Sequence, residues 1–198
     1  ELYALINKAN IAIAGFSGAG TSGVLTSTVA NDYVAQCLFL RAMADHELLL
    51  HFARPYADNN GASLGVPYRD FAIESQASVE LAKTKPRESV ADCYTKILAD
   101  LDFAETNLSL GTAGNGVSTY YATKAAAIAL KMRIKLHKGD WPGVITDGNK
   151  LIPAAINPQS WTTVVSPIGG WQLTNAADGP FTDNASKESI FSIKHDAL

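Results

Sequence analysis

The sequence predicts a mainly α-helical fold, with helices stacked in antiparallel pairs and joined in places by long irregular loops. Three observations predict it. Apolar residues recur at helical spacing in five separate segments. Two of those segments are joined by only Gly139 and Asp140, so they must fold back on each other. Glycine and proline clusters, not alternating strand-like patterns, separate the rest.

The first helix is expected from about Leu2 to Ala14, with Leu2, Leu5, Ile6, Ala9 and Ile13 on one side and Gly15, Gly18, Gly20 and Gly23 interrupting it. A second is expected from about Asn31 to Phe52, carrying Val34, Leu38, Phe39, Met43, Leu48 and Leu49. Pro55 stops it, because proline donates no amide hydrogen and disfavours helix in the residue before it. Residues 55–87 hold Asn59, Asn60, Gly61, Gly65, Pro67 and Pro86 and read as one long connection, a length more often functional than idle.

The third helix has the cleanest period: Val90, Tyr94, Ile97, Leu101, Ala104 and Leu108. Ser89 followed by Asp92 resembles a capping box with Asp in place of Glu. A glycine-rich break (Gly111, Gly114, Gly116) precedes a fourth helix, about Thr119 to Lys138, whose run of alanines from Ala122 to Ala129 admits close helix packing. His137 and Lys138 suit its negative end, Gly139 the left-handed residue beyond, and Asp140 the cap of a fifth helix reaching about Leu151 or Ile152. Residues 119–152 thus form a hairpin of about 34 residues, the size of one tetratricopeptide-type repeat. The fold class expected is an α–α superhelix of tetratricopeptide-like pairs with long irregular loops. Residues 1–155 form a partial helical core; residues 156–198 are an irregular segment leading into missing C-terminal sequence, with Ser189 to Ile193 as a short strand. The chain starts without Met, already inside an amphipathic pattern, and reads as part of a longer protein.

Composition excludes several classes. Of 198 residues 47% are hydrophobic and 18% charged, with net charge −3, which is the mix of a folded chain and not of a disordered one. Lys131, Arg133, Lys135 and Lys138 are the densest basic group; spread around a helix they read as a solvated face, not a nucleic-acid surface. Cys37 and Cys93 read as buried inert thiols. No apolar run is long enough to span a bilayer.

Catalytic and cofactor motifs fail on context. Gly18-Ala19-Gly20-Thr21-Ser22-Gly23 satisfies G-x-G-x-x-G, but a helix precedes it and Val24 to Thr28 does not read as a helix start. Thr21 stands where a phosphate loop needs lysine. His46 and His51 are five apart, off the i,i+4 spacing that binds zinc. Asp100, Asp102 and Glu105 read as a water-facing stripe and not an acid–base pair, and no nucleophile elbow occurs. No cofactor or metal is called for, and the chain reads as a non-enzyme.

A family resemblance becomes visible once the helices are placed. Glu1 to Ile13 (ELYALINKANIAI), Phe39-Leu40-Arg41-Ala42, Pro55-Tyr56 with Gly65-Val66-Pro67, Arg87-Glu88-Ser89-Val90 with Tyr94, Ile97, Asp100-Leu101 and Ala104, then Ala125-Ala126, Arg133 and Gly139-Asp140-Trp141, and finally Glu188-Ser189-Ile190-Phe191, occur in order. The set resembles SusD-like (SusD/RagB-type) nutrient-binding lipoproteins. The resemblance implies a tetratricopeptide-like core, a lipid anchor on an N-terminal cysteine outside this chain, and a surface position on the outer membrane. It also implies capture of oligosaccharide or another nutrient for a TonB-dependent transporter (SusC-like). Typical members are at least twice this length, and neither cysteine here fits the anchor. The alternative is a tetratricopeptide-type adaptor that binds a protein partner and no sugar.

Arg41 is expected to bond backbone carbonyls between helices, and Trp141 to be a packing anchor. Sugar binding needs exposed aromatic faces beside amide, carboxylate or guanidinium groups. The candidates are Tyr56 beside Asp58 and Asn59, Tyr68 beside Arg69 and Asp70, Trp161, and Trp171 beside Gln172 and Asn175. The resemblance transfers none of them.

Overall fold

The computed structural model describes residues 1–116, 118–152, 164–174, 181 and 185–193. Among the described residues six α-helices are formed, α1 (Leu2–Thr21), α2 (Ser27–Phe52), α3 (Gln76–Thr84), α4 (Val90–Asn107), α5 (Lys124–Lys138) and α6 (Trp141–Leu151). Among the described residues there is no strand, only the isolated bridges Leu64–Ser89 and Val165–Gln172. The expected strand at Ser189 to Ile193 is an extended segment without strand pairing. It lays Phe191 edge-on against Phe39 at 5.0 Å, and the Ser192 N–H donates to the Thr119 carbonyl at 2.8 Å.

Packing runs along the chain: α1 on α2, α2 on α4, α4 on α5 and α5 on α6. The fold is mainly α, as expected. One continuous core holds Ile6, Phe39, Leu48, Leu49, Tyr94, Ile97, Leu101 and Ile134, and a smaller one holds Ala125, Ile128, Leu151 and Trp171.

The first two helix boundaries differ from expectation. Helix α1 does not stop at Ala14 but continues through Gly15, Gly18 and Gly20. Glycine costs a helix roughly 1 kcal/mol against alanine, yet here it admits α2. A Cβ on Gly20 would lie 2.8 Å from the Ala30 Cβ. The turn comes at Gly23, φ +77°. Helix α2 starts at Ser27, where the Thr26 hydroxyl accepts from the Val29 N–H. The G-x-G-x-x-G stretch is therefore the end of one helix and the turn into another.

The connection from α2 to α4 is less irregular than its composition implies. It holds a 3-10 turn at Tyr56–Asp58 and the helix α3, which Ser75 and Ser78 cap reciprocally. Periodicity misses α3 because it is short and buries only Ala82. Gly65 fits where a Cβ would lie 2.9 Å from the Cys93 sulfur and 3.2 Å from the Glu88 and Ser89 carbonyls. Arg87 clamps the return by donating to the carbonyls of Gly65, Phe52 and Leu64. From α1, Asn7 exchanges two hydrogen bonds with Ile73, and Asn10 donates to the carbonyls of Arg69 and Phe71.

Helix α4 follows its pattern, with the Ser89 hydroxyl accepting from the Asp92 N–H at 3.0 Å. The Asp92 carboxylate takes the Ser89 hydroxyl at 2.6 Å. In α5 the first expected turn is instead a 3-10 turn at Ser118–Tyr120, and Thr123 caps the helix proper. Gly139 closes α5 at φ +81°, and Asp140 caps α6 through the Gly143 N–H. Cys37 and Cys93 are free thiols, the second buried.

Candidate functional site

Charged side chains that local sequence suggests as solvated are instead buried in pairs between helices. Arg41 on α2 forms a two-pronged bridge to Asp100 on α4, Nε to Oδ2 and Nη2 to Oδ1 at 2.7 Å each. Its Nη1 donates to the Asn10 side chain of α1 at 2.8 Å, and the Tyr68 hydroxyl donates to Asp100 at 2.8 Å. Arg41 is thus structural, but it holds side chains and not the backbone carbonyls expected. Asp100 is no water-facing residue. One guanidinium ties α1, α2, α4 and the long connection together.

Lys131 shows the same inversion. It is buried on α5 and donates to Asp102 and Glu105 of α4. Asp147 of α6 bonds Lys135 at 2.6 Å and pairs with Lys150 at 2.9 Å. Burial alone would lower the Lys131 pKa; the bonds to Asp102 and Glu105 outweigh it and raise the pKa. Of the basic group at 131–138, Lys131 and Lys135 are thus paired with carboxylates between helices, whereas Arg133 is exposed as expected and Lys138 lies over the Tyr56 ring.

Two further buried groups escape sequence reasoning. His46 stacks on His137 of α5 with ring nitrogens 3.1 Å apart, and burial, with His137 and Arg133 nearby, lowers its pKa to about 4. Asp45 is 0% exposed and, among the described residues, neither carboxylate oxygen has a partner. Burial pushes its pKa up to about 7, against the opposing pull of Arg41. Among the described residues no group of three potential ligands could hold a metal ion.

The sugar-contact candidates do not converge. Tyr68 is 1% exposed with its hydroxyl engaged by Asp100, so it is a core residue and offers no face to a ligand. Tyr56 is half-buried, packed edge-on against Tyr94 with Lys138 over its ring, while Asn59 is exposed on the turn after it. Trp161 and Asn175 lie outside the described residues. Trp141, expected to pack, is 61% exposed, because α6 turns only Asp147 and Leu151 fully inward.

Trp171 lines a cavity. It is 5% exposed and belongs to the smaller core, so it forms wall and not an open platform. Gly169 makes room for it, since a Cβ there would lie 2.6 Å from the indole nitrogen. The cavity, about 360 Å³, has Leu151, Ile152, Leu173 and Ile190 as apolar lining and Gln172, Lys187 and Glu188 at its polar positions. Its size lies within the ~300–1,000 Å³ usual for small-molecule sites. The Thr174 hydroxyl donates to Glu188 at 2.8 Å, and the Gln172 N–H to the Lys187 carbonyl at 3.1 Å, which fixes one side. The arrangement suits a ligand with one apolar face and a hydroxylated edge.

A family model described as "starch-binding associating with outer membrane" (SusD-like) matches residues 1–136. Among solved structures, a SusD superfamily protein of Bacteroides thetaiotaomicron is 24% identical with a TM-score of 0.72, over 97% of this chain and 37% of that one. One of Bacteroides fragilis is 28% identical with a TM-score of 0.67, over 79% of this chain and 34% of that one. A protein of Bacteroides vulgatus is 30% identical with a TM-score of 0.59, over 75% of this chain and 30% of that one. The chain therefore spans about a third of the length of these structures. No curated protein matches the sequence.

Proposed function

The chain belongs to the SusD-like carbohydrate-binding family, and from that premise we propose that its protein captures oligosaccharide at the surface of a bacterial outer membrane and hands it to a TonB-dependent, SusC-like transporter. The observation that carries the reading is the family match over residues 1–136, which takes in all of α1 to α4 and most of α5. Capture is by binding without turnover, and a lipid on a cysteine outside this chain holds the protein to the membrane. No described helix is long and apolar enough to cross a membrane. The Trp171 cavity is a ligand site of this reading, and Tyr56, Asn59 and Trp161 remain candidate contacts.

Affinity electrophoresis of the full-length protein through gels containing starch, laminarin or xyloglucan tests the proposal. Retardation by at least one polysaccharide, with no reducing sugar released on incubation, is expected. Unaltered mobility in every gel would remove the sugar-capture function.

One observation favours a protein partner as well. Trp141, Ile145 and Ile152, spaced to share one face at the α6 end of the fold, are 61%, 63% and 42% exposed. An adaptor reading makes this stripe its contact; retention of a transporter segment by the protein in the absence of any glycan, and its loss in Ile145→Glu, would support it.

A further inference from the structure

We propose a second saccharide site, a cleft distinct from the Trp171 cavity, between the start of α2 and the segment joining α4 to α5, and selective for neutral pyranose rings. It rests on the carbohydrate-binding reading above. The cleft has a volume of about 450 Å³ and is lined by Asp32, Tyr33, Gln36, Ser109, Tyr121 and Thr123, among others.

Two rings stand open in it. Tyr33 is 43% exposed and Tyr121 60% exposed, far more than the half-buried Tyr56 or the buried Tyr68. Phe16 of α1 braces the Tyr33 ring at 4.9 Å, so that ring is held in place while part of its surface stays uncovered. The C–H face of a pyranose packs on such a surface, and the phenol supplies a polar tip. Asp32 beside it has no hydrogen-bond or ion-pair partner among the described residues, which leaves its carboxylate available to accept from sugar hydroxyls.

The walls are fixed before any ligand arrives. The Gln36 amide exchanges two hydrogen bonds with the Ala122 backbone, both 2.9 Å, and so ties α2 to the residue beside Tyr121. The Lys124 N–H donates to the Ser109 carbonyl at 2.8 Å. Gly111, at φ +73°, lets the opposite wall approach α5, since a Cβ there would lie 2.7 Å from the Thr123 methyl. A preformed site loses less affinity to ordering on binding.

The lining also selects. Among the described residues that line the cleft, Asp32 is the one charged side chain, and none is lysine or arginine. Phosphorylated or uronic ligands would meet a carboxylate without a compensating cation, whereas neutral sugars meet acceptors and aromatic faces.

Calorimetric titration of the full-length protein with maltoheptaose, laminarihexaose and an oligogalacturonide tests this. At least one neutral glycan binds the wild type. In Tyr33→Ala/Tyr121→Ala its affinity falls about tenfold or more, the loss expected for removing ring stacking worth ~1.4 kcal/mol, with an unchanged melting temperature. Asp32→Asn, which keeps the shape, weakens it severalfold. Unchanged affinity in both variants would place the sugar elsewhere and overturn the cleft while leaving the family reading intact. Oligogalacturonide binding as tightly as the neutral glycans would overturn the claimed selectivity. Absence of binding by all three glycans to the wild type would overturn both readings.

Discussion

Replacing Asp45 with asparagine tests how the helical core handles a buried carboxyl. Asp45 is fully covered and both its oxygens lack partners among the described residues. Burial raises its pKa from 3.8 to about 7; Arg41 opposes this, and Asp100, Asp70 and Glu88 add to it. The folded protein then keeps a proton that the unfolded chain releases near the ordinary aspartate value. Stability therefore falls as pH rises through the window from about 4 to about 7, and levels off above it. Across the whole window the loss is about 4 kcal/mol at ~1.4 kcal/mol per pH unit. Between pH 5 and pH 8 it is about 3 kcal/mol. Asparagine does not ionise, so Asp45→Asn removes the slope. Its amide leaves a buried donor unpaired, but that cost of roughly 1–3 kcal/mol does not vary with pH. Urea unfolding of wild type and variant at pH 5 and pH 8 isolates the effect, because every other titrating group is shared. The variant should gain about 3 kcal/mol on the wild type between the two pH values. A difference that stays constant within about 0.5 kcal/mol would show that Asp45 is charged in the folded protein and reached by solvent.

Arg41→Met should destabilise by about 3–5 kcal/mol, since it strands the Asp100 carboxylate between helices; a urea midpoint within error of the wild type would refute the role given to the bridge. Gly65→Ala should cost about 1–3 kcal/mol through overpacking against two backbone carbonyls and the Cys93 sulfur, read as a drop in melting temperature. A neutral result would show that the 64–66 segment can shift at little cost.

The parts of this fold that were legible in the sequence are those governed by neighbouring residues. The α4 stripe, the Gly139 stop and the Asp140 cap each depend on positions within one or two turns, and all three are found. Errors arise where a distant partner decides. Gly20 looks like a helix breaker until Ala30 is placed beside it, and Asp100 looks solvated until Arg41, 59 residues away, reaches it. Lys131 is misread for the same reason, as its partners lie 26 and 29 residues back. The site was less legible than the fold. An aromatic beside polar residues marks Tyr68 and Trp171 equally well, but only packing shows that one is core and the other cavity wall. Tyr33 and Tyr121 sit within or beside helical patterns, where aromatics read as packing, and no local signal announces that they face open space.

The two asparagines of α1 recognise the long connection in a way that ignores its side chains. Within that connection Asn7 and Asn10 bond main-chain groups of residues 69, 71 and 73, while the Asn10 carbonyl oxygen accepts from Arg41. Such a latch accepts any extended stretch that keeps the amide hydrogen of residue 73, so proline is barred there while most other residues are not. The sequence at these positions can drift, or be exchanged for another, without unfastening the excursion from the scaffold beneath it.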